Sequence, residues 1–426
     1  MLSGFANDDI TPPLGANVIG TLIERPSKTI LDPLSVNAVV FDDGIKQIGI
    51  IQLDILSIRW SQVNDIRRSI ESEYGFPGQN VMICASHNHA GPAVSRAGWV
   101  QRDEGYIQYM IKKSVDTFGR ALSSCKPCKI GHDSCLIFDL AYNRRIVLDD
   151  GTVKTNTTLK DPGAMYVEGP VDLSLSVICA QAADGSYIGA IVNFAIHPVH
   201  HSHESVFSAG FPGILARLLK EHGVPITLFL NGACGNVSGR NPHTGGITTK
   251  EEVGSKLAEQ AWHIIQQMKF KLQMPINTES SNLQLSYRSV TRSDLDGSKP
   301  GTQRVGKLSC YDEIMRPLQN RIKERQFQPA EIQVHCIGNI ALAGIPGEFF
   351  AENGLFIKEK THPMHTWIVG YTNGMVGYLP HREAVNRGGY EATFTPWSRM
   401  APESADKIAD EIIRLIWKNS SIMSQK

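Results

Sequence analysis

The sequence lacks the features that would tie it to a nucleic acid, a disulfide framework or a bilayer. It has no charge excess, since 42 Lys and Arg stand against 42 Asp and Glu. Without a basic footprint, DNA or RNA binding has no electrostatic basis. Eight cysteines in 426 residues are too few for a disulfide scaffold. Cys125 and Cys128 form a CxxC with Cys135 close behind. No second CxxC follows, which excludes a zinc ribbon, and the three read as ordinary loop residues. No apolar run approaches the ~18 residues of a membrane-spanning helix. The opening MLSGFANDDITPPLG lacks the basic and apolar regions of a secretory signal, so a cytoplasmic protein with reduced thiols is expected. Internal repeats and Pro/Ser-rich linkers are also missing. The polar stretches Thr278–Ser281 and Asp296–Gln303 are too short to separate domains. Residues 1–426 therefore read as one large domain, with an inserted flap near 289–325.

What is present is regular patterning. Trp60, Val63, Ile66 and Ile70 recur at helical spacing, as do Ile107, Ile111, Val115, Phe118 and Leu122. Thr249 and Glu252 form a capping box ahead of Val253, Leu257, Ala261 and Ile265. Ile408, Ile412 and Leu415 predict a last amphipathic helix. Between these lie short apolar runs of strand length, among them VNAVVF (36–41), NVMICAS (80–86), YIGAIVNFAI (187–196), PITLFLN (225–231), NIALAGI (339–345) and TWIVG (366–370). Runs this continuous predict strands covered on both faces. The fold class is α/β, a large mixed β-sheet flanked by helices.

The chemistry collects where these runs end. NVMICAS leads into His87-Asn88-His89, and YIGAIVNFAI into His197. PITLFL leads into Asn231–Ser238, NIALAGI into Glu348, and TWIVG into Tyr371–Tyr378. In open α/β sheets, ligands bind at the carboxyl ends of strands, so one site assembled from distant segments is predicted. His87 and His89 are two apart and project to one side of an extended chain. An HxH pair alone also fits a polar turn. With His197 and Glu348 at equivalent strand ends, the set suits catalytic zinc, whose bound water has a pKa lowered to about 7. His200, His201 and His203 read as a solvated loop rather than a second metal site. Ser238 is either a nucleophile or an orienting hydroxyl. It lies in no GxSxG elbow, so an α/β-hydrolase fold gains no support.

Eight blocks carry a resemblance. DITPPLG near the start, SHNHAGPA (86–93), NRR (143–145), NFAIHP (193–198), NGACGNVS (231–238), IPGEFF (345–350), GYTNGMVGYLP (370–380) and GGYE (388–391) occur in this order. Together they span nearly the whole chain and resemble the neutral/alkaline non-lysosomal ceramidase family, in a short form without the C-terminal immunoglobulin-like domain. The resemblance implies one zinc per chain held by His87, His197, Glu348 and Tyr378. It places His89 beside the metal as acid/base or substrate contact, Arg144 on the reacting group, and Ser238 at the serine often described as nucleophile. With a metal-activated water available, the orienting role suits Ser238 better. The implied reaction is hydrolysis of an N-acyl amide to a fatty acid and a sphingoid amine.

The chain departs from the family pattern at Gly210, where an aspartate is common, and at Asn236 and Gly239-Arg240 around the serine. Two substrate classes thus stay open. One is a long-chain lipid amide such as ceramide; the other is a smaller soluble amide, ester or ring handled by the same scaffold. A non-catalytic, metal-stabilised binding protein is a third reading, for which the full set of reactive residues has no physical need.

Overall fold

The computed structural model describes residues 1–96, 98–305 and 309–423. Nine strands form the larger sheet: β1 (Leu2–Asp9), β2 (Ser35–Asp42), β3 (Gln47–Leu53), β4 (Val81–Ala85), β5 (Lys126–Leu136), β6 (Ser174–Ala182), β7 (Tyr187–Phe194), β8 (Thr227–Asn231) and β9 (Phe270–Lys271). Their order is β8-β7-β6-β5-β1-β2-β3-β4, with β9 added on β5. The β7–β8 and β3–β4 pairs are parallel, and the others are antiparallel. Farther along come β10 (Ile276–Ser286), β11 (Phe327–Ile337), β12 (Ile340–Gly344), β13 (Glu348–Phe349), β14 (His365–Val369) and β15 (Tyr378–Leu379). Of these, β10-β11-β12-β14 make a second mixed sheet, while β13 and β15 pair in parallel by themselves.

The mixed sheet and flanking helices expected from the sequence are present, but one face of the larger sheet is covered by the second sheet. The period-2 alternation of strands shows how. Val36, Ala38 and Val40 of β2 belong to one apolar cluster, whereas Val39 and Phe41 belong to another. The first cluster is shared with helices α1 (Trp60–Tyr74), α2 (Glu104–Ser123), α3 (Gly210–Glu221) and α4 (Lys250–Gln267). The second is shared with Ile340, Leu342, Trp367 and Val369 of the four-stranded sheet. The alternate residues of β12, Ala341 and Ala343, belong to a third cluster.

Four further helices follow α4, namely α5 (Arg292–Asp296), α6 (Ser309–Glu324), α7 (Ala351–Thr361) and α8 (Arg382–Arg387), before α9 (Ser404–Met423) ends the described chain. The third cluster holds Ile357 of α7 and Ile408, Ile412 and Leu415 of α9. The result is four layers: helices, sheet, sheet, helices. The α4 capping box forms as predicted, with Glu252 N–H donating to Thr249 Oγ1 at 3.1 Å and Thr249 N–H to Glu252 Oε2 at 2.7 Å.

The segment in which a flap is expected carries α5 and α6, and its residues 306–308 lie outside the described ones. Cys128 and Cys135 sit on β5 rather than in a loop, and both are free thiols, as is Cys125. Among the described residues, no helix is long and apolar enough to cross a membrane.

The carboxyl edges of the two sheets are stitched together. Gly370 N–H donates to Asn231 O at 2.9 Å, Ala85 N–H to Tyr371 O at 3.1 Å, and Asn373 N–H to Ile83 O at 2.8 Å. A buried ion pair between Arg67 of α1 and Glu331 of β11, at 2.8 Å, reinforces this seam.

Leu342 is fully buried between the sheets. Leu342→Ala should therefore destabilise the chain by about 2–5 kcal/mol through lost burial and a residual cavity. Chemical denaturation checks this, and a loss below ~1 kcal/mol would contradict the sandwich core.

Candidate metal centre and active site

His87 follows β4 at the seam. Its φ of 65 places it in the left-handed region, which side chains other than glycine seldom adopt. Tyr371 (φ 57) and Asn373 (φ 57), in the segment after β14, share that conformation. Such backbone persists only where the surroundings fix it, and here the seam hydrogen bonds do so. Tyr371 stacks on the His87 imidazole, with ring centroids 3.9 Å apart. Its hydroxyl lies 3.0 Å from Cys234 Sγ.

Backbone carbonyls orient three imidazoles. His87 Nδ1 lies 2.8 Å from Leu56 O, His197 Nδ1 3.0 Å from Cys234 O, and His89 Nδ1 3.3 Å from Gly20 O. A carbonyl only accepts, so each neutral ring carries its proton on Nδ1 and presents a lone pair at Nε2. These lone pairs converge: His87 Nε2 is 3.0 Å from His197 Nε2 and 3.1 Å from His89 Nε2. Glu348 Oε2 stands 3.4 Å from His87 Nε2 and 3.5 Å from His197 Nε2. Among the described residues this buried oxygen has no hydrogen-bond partner.

Burial, with neighbouring His87 next, pushes the His89 pKa well down. Burial also pushes His197 well down, with Arg144 and the two other imidazoles adding to the effect. Protonation of these two rings therefore does not relieve the convergence. Facing lone pairs beside an orphaned carboxylate oxygen fit a divalent cation, and a nitrogen-rich donor set with one carboxylate suits zinc. His87, His89 and His197 thus form a cluster able to hold a metal ion.

Register brings the remaining residues in. Glu348 of β13 pairs directly with Tyr378 of β15. Gly235 packs against this strand so closely that a Cβ would lie 2.5 Å from Glu348 O. Burial, with Glu348 next, pushes the Tyr378 pKa well above that of an ordinary phenol. Arg144 donates from Nη2 to Tyr378 Oη at 3.1 Å and to Gly235 O at 2.8 Å, and from Nε to Glu391 Oε1 at 2.7 Å. Burial opposes its charge, yet Tyr378 and Glu391 hold its pKa above the ordinary arginine value.

Ser238 is carried by a two-residue bridge strand, Val237–Ser238, paired with Tyr142–Asn143 just before Arg144. Its hydroxyl oxygen accepts from Arg240 N–H at 3.4 Å. All seven residues singled out in the sequence, His87, His89, Arg144, His197, Ser238, Glu348 and Tyr378, line one cavity of about 1950 Å³.

His200, His201 and His203 line the same cavity and are not part of the three-imidazole cluster. His201 faces Glu204 at 3.0 Å. Burial lowers the His200 pKa to about 4.

Two residues escaped the sequence reading. Tyr371 lies in the GYTNGM block and Glu391 in GGYE, so both motifs were in view, but only contacts across the fold reveal their roles. Glu391 is fully buried between Arg144 and Arg145, its Oε2 accepting from Arg145 Nη1 at 2.8 Å and Thr155 Oγ1 at 2.7 Å. Burial works against this carboxylate, but the two guanidiniums hold its pKa below the ordinary value.

No family model matches the chain. The neutral ceramidase of Pseudomonas aeruginosa is 22% identical over a 406-residue alignment covering 76% of this chain, and the chain spans 59% of that protein's length. A crystal structure of neutral ceramidase from Pseudomonas aeruginosa superposes with a TM-score of 0.74 at 18% identity, over 97% of this chain and 74% of the other. A ceramidase complexed with C2 gives a TM-score of 0.73 at 16% identity, with the same coverage. These similarities agree with the ordered motifs read from the sequence: the chain shares the fold of neutral ceramidase and is similar to it in sequence over most of its length.

Proposed function

We propose that this chain is a zinc-dependent hydrolase of N-acyl amides, with His87, His197, Glu348 and Tyr378 holding one metal ion. The observation that carries the proposal is the convergence of imidazole lone pairs on the orphaned Glu348 oxygen inside a large cavity. A divalent cation there supplies Lewis-acid polarisation of a carbonyl and a water of lowered pKa.

The protein's own groups do the rest. His89 has the longest anchoring hydrogen bond of the three imidazoles, 3.3 Å to Gly20 O, and is the ring best able to serve the reaction. Its low pKa keeps Nε2 unprotonated at rest. It can therefore take a proton from the attacking water and pass it to the departing nitrogen, since an amide nitrogen leaves poorly unless protonated. Arg144 Nη1 has no hydrogen-bond partner among the described residues. It supplies a fixed donor for the negative charge developing on the acyl oxygen. Ser238 orients the substrate through its hydroxyl.

The cavity, at about 1950 Å³, exceeds the ~300–1,000 Å³ of ordinary small-ligand pockets. Exposed apolar residues Ile23, Ile247 and Phe327 are among its lining. Both features favour an amide with a long acyl chain, ceramide included. A second reading, a charged and more soluble acyl amide, is favoured by arginines on the cavity wall that pair with no carboxylate among the described residues.

Zinc-loaded protein should release fluorescent fatty acid from labelled ceramide, stop with chelator and recover with zinc. His197→Ala should bind less than one zinc per chain by elemental analysis. Failure of the unaltered protein to bind zinc would sink the proposal, whereas bound zinc without release would remove only ceramide.

Arg144 depends on Glu391 for its placement, so Glu391→Ala should lower turnover by up to about 10²-fold through misplacement of the donor. The same change should destabilise the fold by about 3–5 kcal/mol by leaving buried guanidinium charge unpaired. Glu391 has a folded pKa below its ordinary value of 4.5. Its contribution is therefore present above that value and lost as pH falls through the folded pKa. The stability gap between wild type and variant should narrow in acid, as measured by denaturation at stepped pH. A gap that widened there would contradict the assignment.

A further inference from the structure

The cavity wall also holds arginines that form no ion pair among the described residues. Arg399 is buried, 8% exposed, and lines the cavity. It donates from Nη1 to Pro396 O and from Nη2 to Met375 O at 3.3 Å, while its Nε has no partner. These two acceptors are carbonyls, and Tyr287 adds a side-chain hydrogen bond. Among the described residues no carboxylate pairs with Arg399, although burial of an unpaired charge is costly. Arg59, just before α1, and Arg321, on α6, line the same cavity and also form no ion pair among the described residues.

The three guanidiniums come from separate segments yet lie near enough to act on one another. Burial and then Arg321 and Arg59 bring the Arg399 pKa down to about 10, against the pull of Tyr287. Burial lowers Arg59 as well, with Arg102 and Arg321 adding to it. Nearby acids are otherwise engaged or outnumbered. Glu104 pairs with Arg102, and Glu331 pairs with Arg67 at 2.8 Å. Glu324 also lines the cavity, but so does Arg325 beside it.

One loop connects this cluster to the candidate active site. Arg399 is held by Met375 O, and Tyr378, three residues farther on, donates its N–H to Trp397 O at 2.7 Å. A ligand reaching the imidazoles along this wall would pass the arginines. Guanidinium forks match planar or tetrahedral oxyanions.

We infer that Arg59, Arg321 and Arg399 form an anion subsite, and that the preferred amide carries a carboxylate, sulfonate or phosphate remote from the scissile bond. The part concerning a substrate rests on the amide-hydrolase reading; the binding site does not.

The test uses zinc-loaded full-length protein in two arms. In the first, calorimetry compares octanesulfonate with octanol, below any micelle threshold. The sulfonate should bind about tenfold more tightly, the scale of one charge-assisted contact. Arg59→Gln and Arg321→Gln, each verified as folded by circular dichroism, should bring that ratio toward one. In the second arm, kcat/KM is compared for N-lauroyl glycine, taurine and phosphoethanolamine against N-lauroyl ethanolamine. An anionic substrate should lead by about tenfold, and the best of the three identifies the headgroup chemistry.

Equal binding of sulfonate and alcohol by the unaltered protein would overturn the inference, whatever the hydrolysis result. A sulfonate preference that survived both substitutions would overturn the assignment to these arginines. A preference lost in the variants, with no amide hydrolysed, would uphold the anion subsite and remove the amide-hydrolase reading instead.

Discussion

The site depends on three Nδ1–carbonyl hydrogen bonds. Leu56, Cys234 and Gly20 each offer an acceptor to one imidazole, and this turns three Nε2 lone pairs toward a common point. The arrangement is unfavourable by itself, because lone pairs 3.0 and 3.1 Å apart repel and Glu348 adds negative charge. Burial keeps His89 and His197 from relieving it by taking up protons. Only a rigid frame can hold such a cluster together, and the rest of the fold supplies one.

That frame is the seam between the two sheets. His87, Tyr371 and Asn373 all occupy the left-handed region there, each at a cost on the order of 1–3 kcal/mol. Backbone hydrogen bonds between the sheets set their conformations. Asn373 adds side-chain bonds, its Oδ1 accepting from Ile83 N–H at 2.9 Å and its Nδ2 donating to Gln333 at 2.7 Å. Strain is thus concentrated where the imidazoles must be aimed. The flat face of Tyr371 against His87 removes the remaining freedom of that ring.

Much of this was legible in the sequence, for physical reasons that also mark the limit. Continuous apolar runs announced strands covered on both faces, and the polar segments after them placed His87, His197 and Glu348 at strand ends. The same runs could not say whether helix or sheet covers each face, because burial leaves one signature in either case. The stacking of β12 and β14 against the larger sheet was therefore invisible. Periodicity is a local signal, and the bond between Arg144 and Glu391 joins residues 247 apart. Tyr371 was hidden differently: it lay in a recognised block, but its use as a wedge depends on a backbone conformation that no pattern encodes. Cys128 and Cys135 lie on β5, where a spacing that occurs in loops and strands alike does not reveal which of the two carries it.

Two buried arginines on the cavity wall separate what the fold does for itself from what it leaves open. Arg144 meets the fully buried carboxylate of Glu391, and that carboxylate is shared with Arg145. Its charge is balanced before any ligand arrives, so it can hold one orientation while a reaction proceeds beside it. Arg399, also buried, meets two carbonyls and Tyr287, which orient a guanidinium, and no carboxylate among the described residues balances it. The wall of one cavity thus holds an arginine whose charge the fold has already balanced and three, Arg59, Arg321 and Arg399, that form no ion pair among the described residues. On the proposed reading, an anionic group on the ligand would be held by the second set through long-range attraction, which leaves Arg144 free to act at the reacting carbonyl.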